Sequence, residues 1–285
     1  MNLPAMEPLP YGGTSLITVQ YVKRSDHFDM VQEHYHAYYE MYYLLSGERN
    51  YFIKDNIYRV SKGDLVFINE YDLHKTTSVG RSPAHERIVI YFRDQLFDPD
   101  TALLQDEFSP FRTGIPVLSL QIHEQRYVED LLHRIIAEFR TRGRNYETCL
   151  KALFMELFIY ALRCCEKRIN QPVSSEKRLH KGIAEIVRYI NQHYADRLTL
   201  TDLAGRFFIS PHYLSRIFKI ATGFSFIEYL TTLRIKEAQK LLRETNLKVA
   251  EIAQQVGFED FAHFGRVFKK LTGNTPLQYR KMNRT

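Results

Sequence analysis

The chain has 285 residues, 45 % hydrophobic and 25 % charged, a composition typical of soluble globular proteins and long enough for two domains. No apolar run approaches the ~20 residues of a membrane span, and the proline-broken stretch from Met1 to Pro10 lacks the basic start and apolar core of a secretory signal, so a cytoplasmic location is expected. The net charge of +6 is uneven: from Glu176 onward 19 Lys+Arg stand against 10 Asp+Glu, a net +9, whereas the preceding part carries −3. A basic C-terminal third points to a polyanionic partner.

Residues 1 to 92 read as short strands: Thr18 to Val22, Tyr38 to Leu45, Asn50 to Lys54, Ile57 to Val60, Leu65 to Ile68 and Arg87 to Phe92. These runs are β-branched or aromatic, and Ser46-Gly47, Asp55-Asn56, Lys62-Gly63 and Gly80 to Pro83 supply turns between them. Many short strands at this spacing predict an antiparallel sandwich or small barrel.

One constellation in these strands carries chemistry. Side chains alternate along an extended chain, so His34, His36, Tyr38, Glu40, Tyr42 and Leu44 share a face that would line the barrel interior, with His74 further on. Histidines and a carboxylate are costly to bury without a partner. The pattern His34-x-His36, three residues, Glu40, six residues, Gly47 resembles the first motif of the cupin fold. Gly63 and His74 match part of the second, with Asn69 and Tyr71 where proline and glycine are usual. In metal-binding cupins the residues matching His34, His36, Glu40 and His74 hold a divalent metal. Three readings therefore stand side by side: a metal site, a pocket for an organic effector, and polar groups bonded to each other and to water. The effector pocket, lined by His34, His36, Glu40, Tyr42 and His74, is the preferred one, with no metal or cofactor required.

Residues 93 to 117 form a connector with Pro99, Pro110 and Pro116, and Val117 to Leu120 is a candidate last strand. Two helices follow. Glu124 to Thr141 places Val128, Leu131, Leu132, Ile135, Ile136 and Phe139 at helical spacing; Tyr146 to Arg168 repeats this with Leu150, Leu153, Phe154, Leu157, Phe158, Ala161 and Leu162. Either the stripes pack on the barrel and each other, or they form a dimer interface. Cys149, Cys164 and Cys165 lie in the second helix without zinc-ligand spacing and read as reduced thiols.

After a linker at 170–176, a supersecondary unit is written twice about fifty residues apart. Leu203, Ala204, Ser210, Leu214, Ile217, Phe218 and Gly223 recur as Ile252, Ala253, Asp260, Phe264, Val267, Phe268 and Gly273. A short helix, a tight turn and a second helix ended by glycine describe a helix-turn-helix. Ser210-Pro211 starts the first recognition helix, and Leu214, Ile217, Phe218 and Ala221 turn inward, leaving His212, Ser215, Arg216 and Lys219 outward. In the second copy Phe264, Val267, Phe268 and Leu271 are expected inward, with Ala262, His263, Gly265, Arg266 and Lys269 outward. The helix from about Phe226 to Glu244 joins the two heads and would set their spacing.

The segments Gly257-Phe258-x-Asp260, Phe264-x-Arg266-Val267-Phe268-Lys269-Lys270 and Gly273-x-Thr275-Pro276-x-x-Tyr279-Arg280 resemble the AraC/XylS family of bacterial transcription regulators. The resemblance covers about 100 residues. It implies seven helices in two helix-turn-helix subdomains, and in many members an N-terminal cupin-like effector and dimerisation domain. It further implies base contacts from His212, Ser215 and Arg216 in one half of the DNA site and from His263 and Arg266 in the other. Lys219 and Lys269 would be phosphate contacts or solvated helix ends.

The expected architecture is α+β: a cupin-like antiparallel β-barrel over 1–120, a helical pair over 121–169, a linker over 170–176 and an all-α double helix-turn-helix domain over 177–285. The expected function is a sequence-specific regulator, an activator rather than an enzyme. Its partners would be a double-stranded DNA operator, a small-molecule effector with a sugar among the candidates, RNA polymerase and a second copy of itself, with no membrane. The alternative is a metal-dependent cupin enzyme fused to a DNA-binding tail.

Overall fold

The structure, a computed structural model, describes residues 16–26, 36–80, 84–98, 102–168, 178–179 and 181–282. The chain divides into two compact units, Met1–Leu179 and His180–Thr285.

In the first unit, two antiparallel sheets contain β1 (Ile17–Arg24), β2 (Tyr39–Ser46), β3 (Glu48–Ile53), β4 (Asn56–Ser61), β5 (Asp64–Ile68), β6 (His74–Ser78), β7 (His85–Phe92), β8 (Val117–Ser119) and β9 (Arg178–Leu179). One sheet has the order β1-β7-β2-β5-β8 and the other β6-β3-β4-β9. Strict alternation divides the larger sheet between two cores. Tyr42, Leu44, Val66, Ile68, Val89 and Val117 turn to an inner core that also takes Tyr51, Ile53, Tyr58 and Val60 from the smaller sheet. Met41, Tyr43, Leu65, Phe67, Ile88, Ile90 and Phe92 turn outward, away from that core.

This outer face is covered by α2 (Ile122–Thr141) and α3 (Tyr146–Glu166), which follow a single-turn α1 (Pro110–Thr113). Phe92 meets Phe154 with ring centroids 4.7 Å apart, and Phe97 meets Phe158 at 4.9 Å. The apolar stripes of both helices belong to this core, so they pack within the protomer. At roughly 1.5–3 kcal/mol for each large side chain removed from water, that burial fastens the pair to the sheet. Glu124 caps α2 by accepting from the Gln121 amide at 2.8 Å, and it also receives the Arg168 guanidinium and the Cys164 thiol. The three cysteines are free, Cys149 exposed and the other two buried.

Two features of this unit depart from the expectations. β6, His-Lys-Thr-Thr-Ser, was not anticipated as a strand because it is polar; it exists through its ladder to β3. Arg178 and Leu179, expected at the head of the DNA-binding part, instead pair with Tyr58 and Ile57 of β4.

The second unit contains seven helices among the described residues: α4 (Lys181–His193), α5 (Leu200–Arg206), α6 (Pro211–Thr222), α7 (Phe226–Glu244), α8 (Val249–Gln255), α9 (Phe261–Thr272) and α10 (Pro276–Met282). Their ends follow the local chemistry. Ser210 Oγ accepts from the Tyr213 amide at 3.2 Å and Asp260 Oδ1 from the His263 amide at 3.0 Å, while Gly223 and Gly273 close α6 and α9 in the left-handed region. Ile235, Ala238 and Leu242 of α7 share a core with Ile252, Ala253, Val256, Phe264 and Phe268. Leu271, expected inward, is 40 % exposed, whereas its counterpart Ala221 is buried.

Candidate functional site

The inner face of the first unit gathers polar groups on two ladders. Across β2 and β7, Glu40 stands opposite Tyr91, Tyr42 opposite Val89 and Leu44 opposite Arg87. Across β3 and β6, Arg49 stands opposite Ser78, Tyr51 opposite Thr76 and Ile53 opposite His74. Residues paired in this way share a face, so one apolar core carries a layer of buried charge.

Glu40 is the hub of that layer. Its Oε2 lies 3.2 Å from His36 Nε2 and 3.5 Å from His74 Nε2, and its Oε1 accepts from the Tyr51 hydroxyl at 2.9 Å. Both histidines turn Nδ1 to a backbone carbonyl, His36 to Tyr38 at 2.7 Å and His74 to Asp72 at 2.8 Å. Each Nδ1 therefore carries a hydrogen, and each Nε2 faces a carboxylate. A lone pair aimed at a carboxylate is repelled, so this geometry suits a proton or a metal ion between the rings and Glu40. Burial by itself would raise the Glu40 carboxyl, but the two imidazoles beside it hold it well below the usual carboxylate range. For His74, burial acts downward, yet the adjacent Glu40 carboxylate prevails and raises it.

The donor set fits a divalent cation. His36, Glu40 and His74 offer ligand atoms within 4.8 Å of one another, and backbone carbonyls fix both rings. Those three residues would hold such an ion, which would supply positive charge for binding ligand oxygens. Tyr71, where the cupin pattern usually has glycine, adopts the φ of +60° that glycine would favour, and Gly63 has φ +85°.

Of the residues anticipated for this pocket, the structure brings together His36, Glu40, Tyr42 and His74; His34 lies outside the described residues. Sequence reasoning missed Tyr51, Arg49 and Arg87, which reach the same layer from β3 and β7. Arg49, fully buried, donates to Thr76 and Ser78 at 2.9 Å each. Strand alternation could have placed them on the inner face, but only the sheet order shows that β7 lies beside β2 and that β3 belongs to the facing sheet.

In the second unit His212, Ser215, Arg216 and Lys219 are all exposed on α6, and Ala262, His263, Arg266 and Lys269 on α9, with Gly265 half-buried. Each helix offers its outward face at a capped N-terminus, the geometry by which a recognition helix enters a major groove. The heads are not equivalent. The first turn puts Phe208 in the left-handed region at φ +54° and leaves it 95 % exposed; the second, one residue longer, uses Gly257 at φ +90°. A Cβ on Gly257 would lie 2.7 Å from the Ala195 carbonyl and 2.9 Å from Arg234. Arg234, on α7, also donates to the carbonyls of Tyr194 and Asp196 at 2.8 Å each. One side chain thus joins the loop after α4, the connecting helix and the second turn. Tyr279 and Arg280 are structural too: Arg243 donates to the Tyr279 hydroxyl at 2.8 Å, and Arg280 to the Leu247 carbonyl at 2.6 Å.

Residues 21–158 match the family model for an AraC-like ligand binding domain, and residues 203–282 match that for a helix-turn-helix domain. The chain belongs to the AraC family of transcription regulators. It is 29 % identical over 255 residues to the HTH-type transcriptional activator RhaR of Enterobacter sp. (strain 638), covering 88 % of both chains. It is 30 % identical over 157 residues to the arabinose operon regulatory protein of Escherichia coli (strain K12), covering 55 % of this chain and 52 % of that one. Among solved structures, the C-terminal domain of AraT, a response regulator from Geobacillus stearothermophilus, is 38 % identical with a TM-score of 0.37, covering 38 % of this chain and 91 % of that one. The AraC-family chain therefore joins a ligand-binding domain to a DNA-binding domain, and its regulation is effector-controlled. No helix among the described residues is long and apolar enough to cross a membrane.

Proposed function

We propose that this regulator is a cytoplasmic activator whose effector sits between the two sheets, against Glu40, His36, His74 and Tyr42, and whose first head does most of the base reading. The observation that carries the effector site is the buried Glu40 hub, in which one carboxylate and two imidazoles are held together inside an apolar core. Such a layer can exchange its internal hydrogen bonds for those of a hydroxylated ligand, and a relative named for the arabinose operon supports a polar effector of that kind. Effector binding must favour one state of the chain to change promoter occupancy.

On the DNA side, His212, Ser215 and Arg216 supply base-edge contacts, Arg being suited to guanine O6 and N7. Ala262 and Gly265 leave the second head little to donate, so His263, Arg266 and Lys269 act mainly on phosphates and groove shape, and Lys219 acts likewise at the end of α6. Action as a homodimer engaging RNA polymerase completes the proposal.

The test is to map the sites bound in cells, take candidate effectors from the neighbouring genes, and titrate the operator with and without them. Glu40→Gln should keep operator affinity and lose the effector response; an unchanged response would remove Glu40 from the site. The His36–Glu40–His74 donor set favours one second reading, a metal-holding barrel. Metal analysis of purified protein would support it by finding about one ion per chain that is lost in Glu40→Gln.

A further inference from the structure

The inner layer holds a second polar group that the Glu40 hub does not use. Arg87, 8 % exposed, lies on the inner face of β7, opposite Leu44 of β2 and Val22 of β1. Its guanidinium carbon stands 5.7 Å from the centre of the Tyr42 ring, and its buried Nε has no hydrogen-bond partner. The Tyr42 hydroxyl, in a residue with 0 % exposure, faces that guanidinium and meets no acceptor among the described residues. Glu40, the carboxylate whose charge reaches Arg87, is already committed to His36, His74 and Tyr51.

A buried guanidinium with no carboxylate against it is costly, and a fold keeps one only where something else balances the charge. The neighbours add to the positive charge. Arg24 sits two residues beyond Val22 on the same side of β1, and burial together with the Arg87 charge lowers its pKa, which marks two guanidiniums close together. Arg49 comes near Tyr42 from the opposing sheet, its charge felt at the same phenol. Guanidinium N–H groups and a phenol O–H are all donors, suited to an oxyanion rather than to a neutral acceptor.

We propose that the effector is an anion, whose carboxylate or phosphate group is seated between Arg87 and the Tyr42 hydroxyl on the inner face of β2 and β7. This rests on the reading of the inter-sheet layer as the effector site and gives that site its ligand class: an oxyanion held at Arg87, with the Glu40 hub taking the ligand's hydroxyls. Arg87 is then a charge waiting for its partner.

The test uses the full chain with three probes at constant ionic strength, sodium acetate, inorganic phosphate and neutral D-glucose, and reads thermal melting and operator binding. Acetate or phosphate should raise Tm of the wild type by at least about 3 °C, and whichever acts at the lower concentration identifies the anion. The rise should vanish in Arg87→Met, whose own Tm should not fall below that of the probe-free wild type, because an unbalanced buried charge has been removed. Tyr42→Phe, which changes no packing volume to speak of, should fold normally and show a smaller rise, keeping the test decisive if Arg87→Met does not fold.

Equal anion effects on wild type, Tyr42→Phe and any folded Arg87→Met would overturn the proposal. So would a glucose effect that survives these substitutions but is lost in Glu40→Gln, although the inter-sheet effector site would then stand. If an anion acts through Arg87 yet leaves operator binding unchanged, the anion site stands and the effector reading fails.

Discussion

At the scale of single residues, the outward faces of α6 and α9 are expected to differ in what they can exchange with DNA. Arg216 is exposed on the first recognition helix and reaches outward with a planar fork, so Arg216→Ala should lower specific operator affinity by about 1 to 3 kcal/mol and relax the preference at one base position. Lys269, in the last turn of α9, should weaken all sequences alike when replaced by alanine and flatten the salt dependence. Binding isotherms on the operator and on a scrambled duplex separate the two outcomes. In the first unit, burial would raise the Glu124 carboxyl, but the Arg168 and Gln121 hydrogen bonds lower it on balance. A lowered folded-state pKa gives stability that is present above the unfolded value of about 4.3 and lost as pH falls through the folded one. Glu124→Gln should therefore cost about 1 to 3 kcal/mol at neutral pH, and its melting curve should converge on that of the wild type as the pH falls through the lowered Glu124 pKa.

At the scale of elements, the joints between helices carry the precision. Ser210 holds the N-terminus of α6, and Ser210→Ala should cost about 1 kcal/mol, measured by denaturant unfolding. Gly257→Ala is more severe: the φ of +90° strains any L side chain, and the new methyl would press on the Ala195 carbonyl and Arg234. It should cost more than about 1 kcal/mol and, by moving Arg234, reduce operator affinity beyond what the stability loss explains. The helical pair shows the converse dependence on packing. α2 and α3 were legible as amphipathic helices, but their role follows from the sheet they cover, whose outward face is as apolar as its inner one.

At the scale of the whole molecule, the second unit has its own core around α7, and the residues proposed to face DNA all lie within 181–282. A fragment spanning residues 178–285 should fold and bind DNA but show no response to effector, whereas the full chain should respond. Gel-shift titrations with and without an effector compare the two, and an effector response in the fragment would place the sensing site outside the sheets.

The DNA-binding unit could be read from the sequence because its signals are local: a cap, a periodic apolar face within twelve residues and a terminal glycine, each repeated. Alternation along one strand likewise placed Glu40 and Tyr42 on a common face. What no local pattern could show is which strands confront one another. The tertiary structure alone made a strand of the polar run His74–Ser78, set Tyr51 against Glu40 and placed Arg87 and Arg49 near Tyr42. It also decided that the apolar helices pack inward and that Arg178 and Leu179 extend the first unit. These features depend on contacts between residues far apart in the chain, where burial and pairing override the preferences of each short segment.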